Sequence, residues 1–344
     1  MIEAKKIDFP SHAVPNDWLF APSTYLIDSW VPEVEKIQLS ASATLAGSLI
    51  LKISDDEKRI ENKELQTKPL IKRVFTASKE IIIKDKIIMD LRYKEPGNIA
   101  HALTNHLPLT LIAEDYCKQV TGKSLTIVLP SSIPKYIEKI FVEIGYEVVK
   151  TDRHIFAKAC EYDISPWQSI RGLRYQIIKT YLSNSDFHKK IQNLSEGLPK
   201  KIFISRRGNR VLKNEKIVED FLVNKGYLKV YAEDFDVLEQ ISMIVHASHI
   251  VAVHGAALGP LLLRAMSPDN NLKLIELFNP GHMTNVYRVI CDQLDFEWVG
   301  VRGKLWPEII LQAYDEPKDP RKYSLSNFEI CLKSLDAAMN QINA

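Results

Sequence analysis

Three arginines stand where an apolar run stops. In KKIFISRRGNRVLKNE, residues 200–215, the run Ile202, Phe203, Ile204 gives way to Ser205, Arg206 and Arg207, and Arg210 follows. Arginine is almost never fully buried unless paired, so such a cluster is either a solvated corner or a trap for an anion. Two other apolar runs end in unusual residues. HIVAV is followed by His254, Gly255, Ala256, Ala257 and Leu258, and LKLI is followed by Glu276. Guanidinium forks match phosphate oxygens bidentately. Small residues at a helix start let a ligand reach free N–H groups and a partial positive charge. A carboxylate one strand away suits the paired hydroxyls of a ribose. Together these make a nucleotide-diphosphate pocket. No GxxxxGK[ST] occurs, which disfavours an ATPase or GTPase. Taken singly, each piece has a plainer reading: a solvated turn for Arg206 and Arg207, a core histidine for His254, an outward strand residue for Glu276.

The elements that must position these residues are strands and helices in alternation. From residue 201 onward KIFIS, LKVYA, HIVAVHG, LKLIELF and FEWVGV read as strands. NEKIVEDFLVNKG, VLEQISMIVHAS, AALGPLLLRAMS and NVYRVICDQLD read as the helices between them. That order predicts a parallel sheet whose ligands lie at the carboxyl ends of its strands. A second block precedes it. HALTNHLPLTLIAEDYCKQVTG is helical with an interruption at Pro108, SLTIVLP is a strand, and SSIPKYIEKIFVEIGY is a helix capped by Ser131 or Ser132 and stopped at Gly145. EVVKT is a strand and SPWQSIRGLRYQIIKTYLSN a long amphipathic helix. Residues 1 to about 90 read as irregular and strand-rich, with a charged, exposed loop at SDDEKRIENKELQTK. The polar stretch 183–200 is the candidate linker. The expected fold is α/β: two doubly wound, Rossmann-like domains, 1–190 and 191–344, facing a cleft, the last helix free to pack back on the N-terminal domain.

Bulk composition limits the function classes. The 344 residues are 46% hydrophobic and 26% charged, so a sizeable core forms. The formal net charge is only +2, which gives no whole-chain case for nucleic acid. The four cysteines are widely spaced, with no CxxC pair, so a zinc or redox motif is disfavoured. The first residues contain no apolar signal-type segment, and no apolar run is long enough to span a membrane. A cytoplasmic protein is expected, with at most peripheral contact at the inner face of a membrane.

From about residue 97 to 301 the sequence resembles glycosyltransferase family 61. The family's strand ending in Ser-Arg-Arg, then a further Arg and an Asn-Glu pair, is similar to Ser205, Arg206, Arg207, Arg210, Asn214 and Glu215. Its Glu-Gln before a helix matches Glu239 and Gln240. Its His-Gly-Ala-Gly-Leu turn matches the stretch from His254 to Leu258, and its Ile-Glu-Leu strand matches Ile275, Glu276 and Leu277. Ala257 replaces the turn's second glycine, and Gly259-Pro260 replaces Thr-Asn. In the first half, GNIAHALTNHLPL resembles the family's His followed four residues later by an acid, but Asn105 stands where the acid belongs.

The resemblance implies a GT-B-like fold and an inverting, metal-independent glycosyltransferase without a cofactor. Its donor would be a nucleotide sugar, a UDP-sugar by preference, and its acceptor an oligosaccharide or lipid-linked glycan in bacterial capsule or lipopolysaccharide synthesis. Inversion needs a general base. With Asn105 unable to serve, His101 or His106 inherits the role, then Glu114 or Asp115. The alternative is a non-catalytic nucleotide- or glycan-binding module, which the missing acid favours.

Overall fold

The computed structural model describes residues 3–23, 34–62, 80–267, 271–305 and 324–344. Contacts divide the chain into two compact units, one of Met1–His12 and Thr44–Ile191, the other of Ala13–Ala43 and Gln192–Ala344. The later division falls beside the anticipated boundary at 190/191. The earlier one was not anticipated: residues 13–43 belong with the C-terminal half.

The first unit is built on a mixed sheet ordered β1 (Lys5–Phe9), β6 (Gly47–Ile53), β11 (Ile155–Ser165), β8 (Ile81–Asp90), β9 (Leu125–Leu129) and β10 (Glu147–Lys150), with β7 (Lys58–Ile60) also paired to β11. β11, β8, β9 and β10 run parallel, whereas β1, β6 and β7 join antiparallel. The charged segment expected to be a loop thus contains a strand, β7; its residues from 63 on lie outside the described ones. β11 was not anticipated; its burial alternates at both ends and breaks at Ala159 and Cys160 in the middle. The helix Lys135–Ile144 buries Ile137, Ile140 and Phe141 at helical spacing and stops at Gly145, where φ is 108°. It begins after Pro134 rather than at a serine cap, and the Ser131 hydroxyl instead donates to Asp152 at 2.6 Å.

The second unit holds the sheet that matters for the site. Its order is β13 (Leu228–Tyr231), β12 (Lys201–Ser205), β14 (His249–Val253), β15 (Lys273–Phe278), β16 (Glu297–Arg302), β3 (Asp17–Pro22) and β4 (Val34–Leu39). All pairs are parallel except β3 with β4. β2 (Ala13–Val14) and β5 (Ser42–Ala43) form a separate two-stranded ladder. Ile202 to Ile204, Ile250 to Val253 and Leu274 to Phe278 are buried at every position, as parallel strands covered on both faces must be. β3 extends the sheet because Leu19 and Phe20 register with Gly300 and Val301. The last helix, Leu332–Gln341, lies on this unit: Leu335, Ala338 and Met339 pack with Phe20, Val299 and Val301.

Three helices differ from expectation. The segment expected as one long helix at residues 165–184 is a 3-10 turn, Trp167–Gly172, followed by Arg174–Leu182. The presumed linker contains the helix Asp186–Asn193. Ala256–Met266 is 3-10 rather than α, and Pro260 inside it has no N–H to give an α ladder.

Candidate functional site

The second unit brings the chemically distinctive residues to the carboxyl edge of its parallel sheet. β12 ends at Ser205, a buried residue whose hydroxyl donates to Glu215, the first residue of the helix Glu215–Val223. Tyr231, at the end of β13, donates to the other oxygen of Glu215 at 2.8 Å. These bonds fix the point at which the chain leaves the sheet. Gly208 and Arg210 then take positive φ, 81° and 60°, and turn the loop back. Arg206 and Arg210 both aim an Nη1 at the carbonyl oxygen of His254, at 3.3 and 3.5 Å. Arg210 Nε also donates to the Ser324 carbonyl at 2.5 Å. Among the described residues neither arginine forms an ion pair. Burial holds both below the usual arginine range, and for Arg210 the neighbouring Arg206 adds to it. Glu233 offsets part of the charge on Arg206, and two guanidinium groups facing one carbonyl oxygen still have N–H donors suited to an anion.

Arg207 does not join them. It clamps Asp234 with both terminal nitrogens and lies over the Tyr231 ring, 3.9 Å from its centroid. The two adjacent arginines therefore do different things, one turned toward His254 and the other tied to the surface.

His254 closes β14. Its Nδ1 hydrogen-bonds Glu276 Oε1 at 2.5 Å, and Glu276 Oε2 accepts from Trp298 Nε1 at 2.9 Å. Glu276 is 0% exposed, with both oxygens occupied. Glu276 thus lies behind the imidazole, with no surface exposed toward the ribose anticipated from sequence. Phe278 stacks on the ring at 5.2 Å between centroids. Among the described residues nothing hydrogen-bonds Nε2 of His254. The carboxylate fixes the ring, and Nε2 is the atom left to act.

Gly255 has a spatial role. Its φ of 170° suits any residue, but an added Cβ would lie 2.3 Å from Arg206 Nη1. Its carbonyl accepts from the Tyr287 hydroxyl at 2.7 Å. Ala256 and Ala257 start the 3-10 helix half-buried, and Leu258 is buried beneath them. Sequence reasoning missed Tyr287 and His282. The His282 ring is 5.4 Å from that of His254, and burial with Arg210 and His254 pushes its pKa down to about 4. The signal was available: FNPGH leaves β15 at the same carboxyl edge that drew attention to Arg206 and His254.

The first unit holds the proposed base. Asn98 caps the helix start by accepting from Ala100 N at 2.9 Å. The helical residues Ile99–His101 lead into a π-helical segment, Ala102–His106, before the α-helix Leu107–Thr121 resumes. Leu107 donates five residues back to Ala102. Pro108 does not interrupt the helix; it sits in the first turn after the π segment, where it has no N–H to place. His101 is 38% exposed, with Nε2 at 3.7 Å from Glu95. Burial lowers its pKa; Glu95 opposes this and Arg171 adds to it. His106 is fully buried, its Nε2 at 3.1 Å from the Lys94 carbonyl, and burial pushes its pKa to about 4. It holds the turn before the helix and has no exposed atom to offer a substrate. Asn105 is buried as well, with Oδ1 unpartnered. Glu114 accepts from Leu125 N at 2.7 Å and pairs with Lys118, while Asp115 pairs with Lys5. Both are paired in this arrangement, and of the four His101 has the most exposed side chain.

The fold and site define an α/β protein with arginines and a histidine gathered at one sheet edge in one unit and a half-exposed histidine just before a π-helical turn in the other. The glycosyltransferase 61 family model matches residues 99–271, just over half the chain, and the protein belongs to that family. The match takes in every residue named above as a candidate except Glu276, which lies five positions beyond it. No curated protein matches the chain.

Proposed function

We propose that the protein is an inverting, metal-independent glycosyltransferase of the GT-B type that takes a nucleoside-diphosphate sugar, a UDP-sugar by preference. The observation that carries this reading is the convergence of Arg206 and Arg210 on one carbonyl beside the open Nε2 of His254. A departing diphosphate develops negative charge as the anomeric C–O bond breaks. Two fixed guanidinium groups are preorganised donors for that charge, and the protonated form of His254, held by a buried carboxylate, adds an Nε2–H beside them, so no ion is required to supply them. The acceptor hydroxyl attacks the opposite face of the anomeric carbon. Its proton passes to His101, the new C–O bond forms, and the old bonding pair leaves on the phosphate oxygen. The acceptor proposed is an oligosaccharide or lipid-linked glycan at the inner face of a bacterial membrane, for capsule or lipopolysaccharide. Family membership supports the transfer reaction.

A second reading, a nucleotide- or glycan-binding module without turnover, draws on Asn105 in place of an acid. One experiment separates them. The protein is incubated with UDP-, GDP- and dTDP-sugars and mixed glycan acceptors, with and without EDTA, and released nucleoside diphosphate is measured. Acceptor-dependent release at equal rates in both conditions is the expected result. Release that stops in EDTA and returns with magnesium or manganese contradicts the metal-free mechanism, and no release with any donor favours the binding module.

A further inference from the structure

A cavity of about 320 Å³ opens in the first unit, at the carboxyl end of β8, and no step proposed above uses it. Its walls are the loop after β8, the middle of β11 and β7 with the residues that follow. The size falls within the range of ligand pockets, roughly 300–1,000 Å³, and the carboxyl end of a parallel strand is where open α/β sheets bind ligands.

The floor is rigid and internally satisfied. Arg92, 2% exposed, clamps Asp90 through Nε at 2.8 Å and Nη2 at 2.7 Å, and its Nη1 donates to the Arg153 carbonyl at 2.5 Å. Above it lie two tyrosines. Tyr93 and Tyr162 stack with centroids 6.0 Å apart and planes within 9°, and the Tyr162 hydroxyl donates to the Asp90 carbonyl at 3.1 Å. The aromatic series continues through Trp167, 6.0 Å from Tyr93, to His106, 5.5 Å from Trp167. The rim is charged but balanced. The lining includes three cations and three carboxylates, among them the pair Lys58–Glu161. Among the described residues Glu61, on the exposed side of the lining, forms no ion pair.

This combination selects a chemical class. A wall without net charge gives no preference for phosphate or for a cation. Two rings 6.0 Å apart leave no slot between them for a planar base, so a ligand meets the outer face of the stack. An apolar ring face edged by hydroxyl and carboxylate acceptors matches a pyranose, which has a C–H face and equatorial hydroxyls. We infer that this cavity is a binding subsite for an uncharged sugar ring. If the glycosyltransferase reading above holds, it is the acceptor subsite, since its aromatic series runs to the π-helical segment that follows His101.

The test is saturation-transfer NMR on the full chain with lactose, cellobiose, maltose and N,N′-diacetylchitobiose, and with uridine as a base probe. At least one disaccharide is expected to bind, with transfer concentrated on the C–H protons of one sugar face. Tyr93→Ala should weaken that binding about tenfold or more, the loss of a single aromatic anchor. Glu61→Ala, an exposed change that leaves the core intact, should weaken it several-fold, whereas Arg206→Ala should leave it unchanged. Binding by none of the four disaccharides overturns the inference. So does binding indifferent to both Tyr93→Ala and Glu61→Ala, or uridine competing for the same site. Nucleoside-diphosphate affinity, measured in parallel, tells the two readings apart: its loss with sugar binding intact removes the transferase reading alone, and the reverse removes the sugar subsite alone.

Discussion

Replacing Glu276 with alanine is expected to lower the free energy of unfolding by about 3 kcal/mol or more, since two buried hydrogen bonds to a carboxylate are lost, at roughly 1.5–3 kcal/mol each. The carboxylate is 0% exposed and receives two hydrogen bonds, from His254 Nδ1 at 2.5 Å and from Trp298 Nε1 at 2.9 Å. Alanine removes both acceptors, leaves two buried N–H donors unsatisfied and opens a void beside Phe278. Had Glu276 been a surface carboxylate reaching for a ribose, its loss would cost within about 0.5 kcal/mol. Urea unfolding of the two proteins decides between these. A shift of several kcal/mol supports the buried dyad, and near-identical midpoints contradict it. The same substitution frees the His254 ring to rotate, so nucleotide affinity should fall along with stability.

His101→Ala is expected to lower kcat about a hundredfold or more while nucleotide affinity stays nearly constant, as the loss of a general base does. His106 serves as the control. It is buried against Trp167 and the Lys94 carbonyl, so His106→Ala should act first on stability and the 94–98 turn. The pH profile follows from the direction of the His101 shift. Burial favours the neutral imidazole, Glu95 opposes this, and the result lies below the ordinary value of 6.5. A base works deprotonated, so the rate should rise with pH to a plateau reached below neutrality, and His101 is already competent at pH 7. Stopped assays across pH 4.5 to 8 on the wild type and both variants measure this. Full activity in His101→Ala, or a rate that falls as pH rises through 6, removes His101 from the role.

Much of the second unit could be read from its sequence, because its strands are short continuous apolar runs between amphipathic helices. The placement of Arg206 and His254 at one carboxyl edge followed from that order. Three features could not be read. β3 joins β16 across more than 270 residues of chain, and nothing local in DWLFAP names its partner. The Ile-Glu-Leu alternation around Glu276 looks the same for an outward residue as for a buried one; only the proximity of His254 and Trp298, 22 residues away on either side, distinguishes them. Arg206 and Arg207 are chemically identical neighbours, and which one turns inward depends on Asp234 and Tyr231 waiting for the other. In the first unit Pro108 gave a true signal with the wrong meaning. It marks a change of helical pitch, and the extra residue of the π segment puts His106 in the core while His101 stays half-exposed.

The central claim is that Arg206 and its neighbours hold a diphosphate, and calorimetric titration of UDP into the wild type and Arg206→Ala tests it most directly. A charge-assisted contact to phosphate contributes on the order of 1.5–3 kcal/mol. The wild type should bind UDP, and Arg206→Ala should bind it roughly ten- to a hundredfold more weakly with an unchanged unfolding midpoint. Equal affinity in the two proteins would contradict the account.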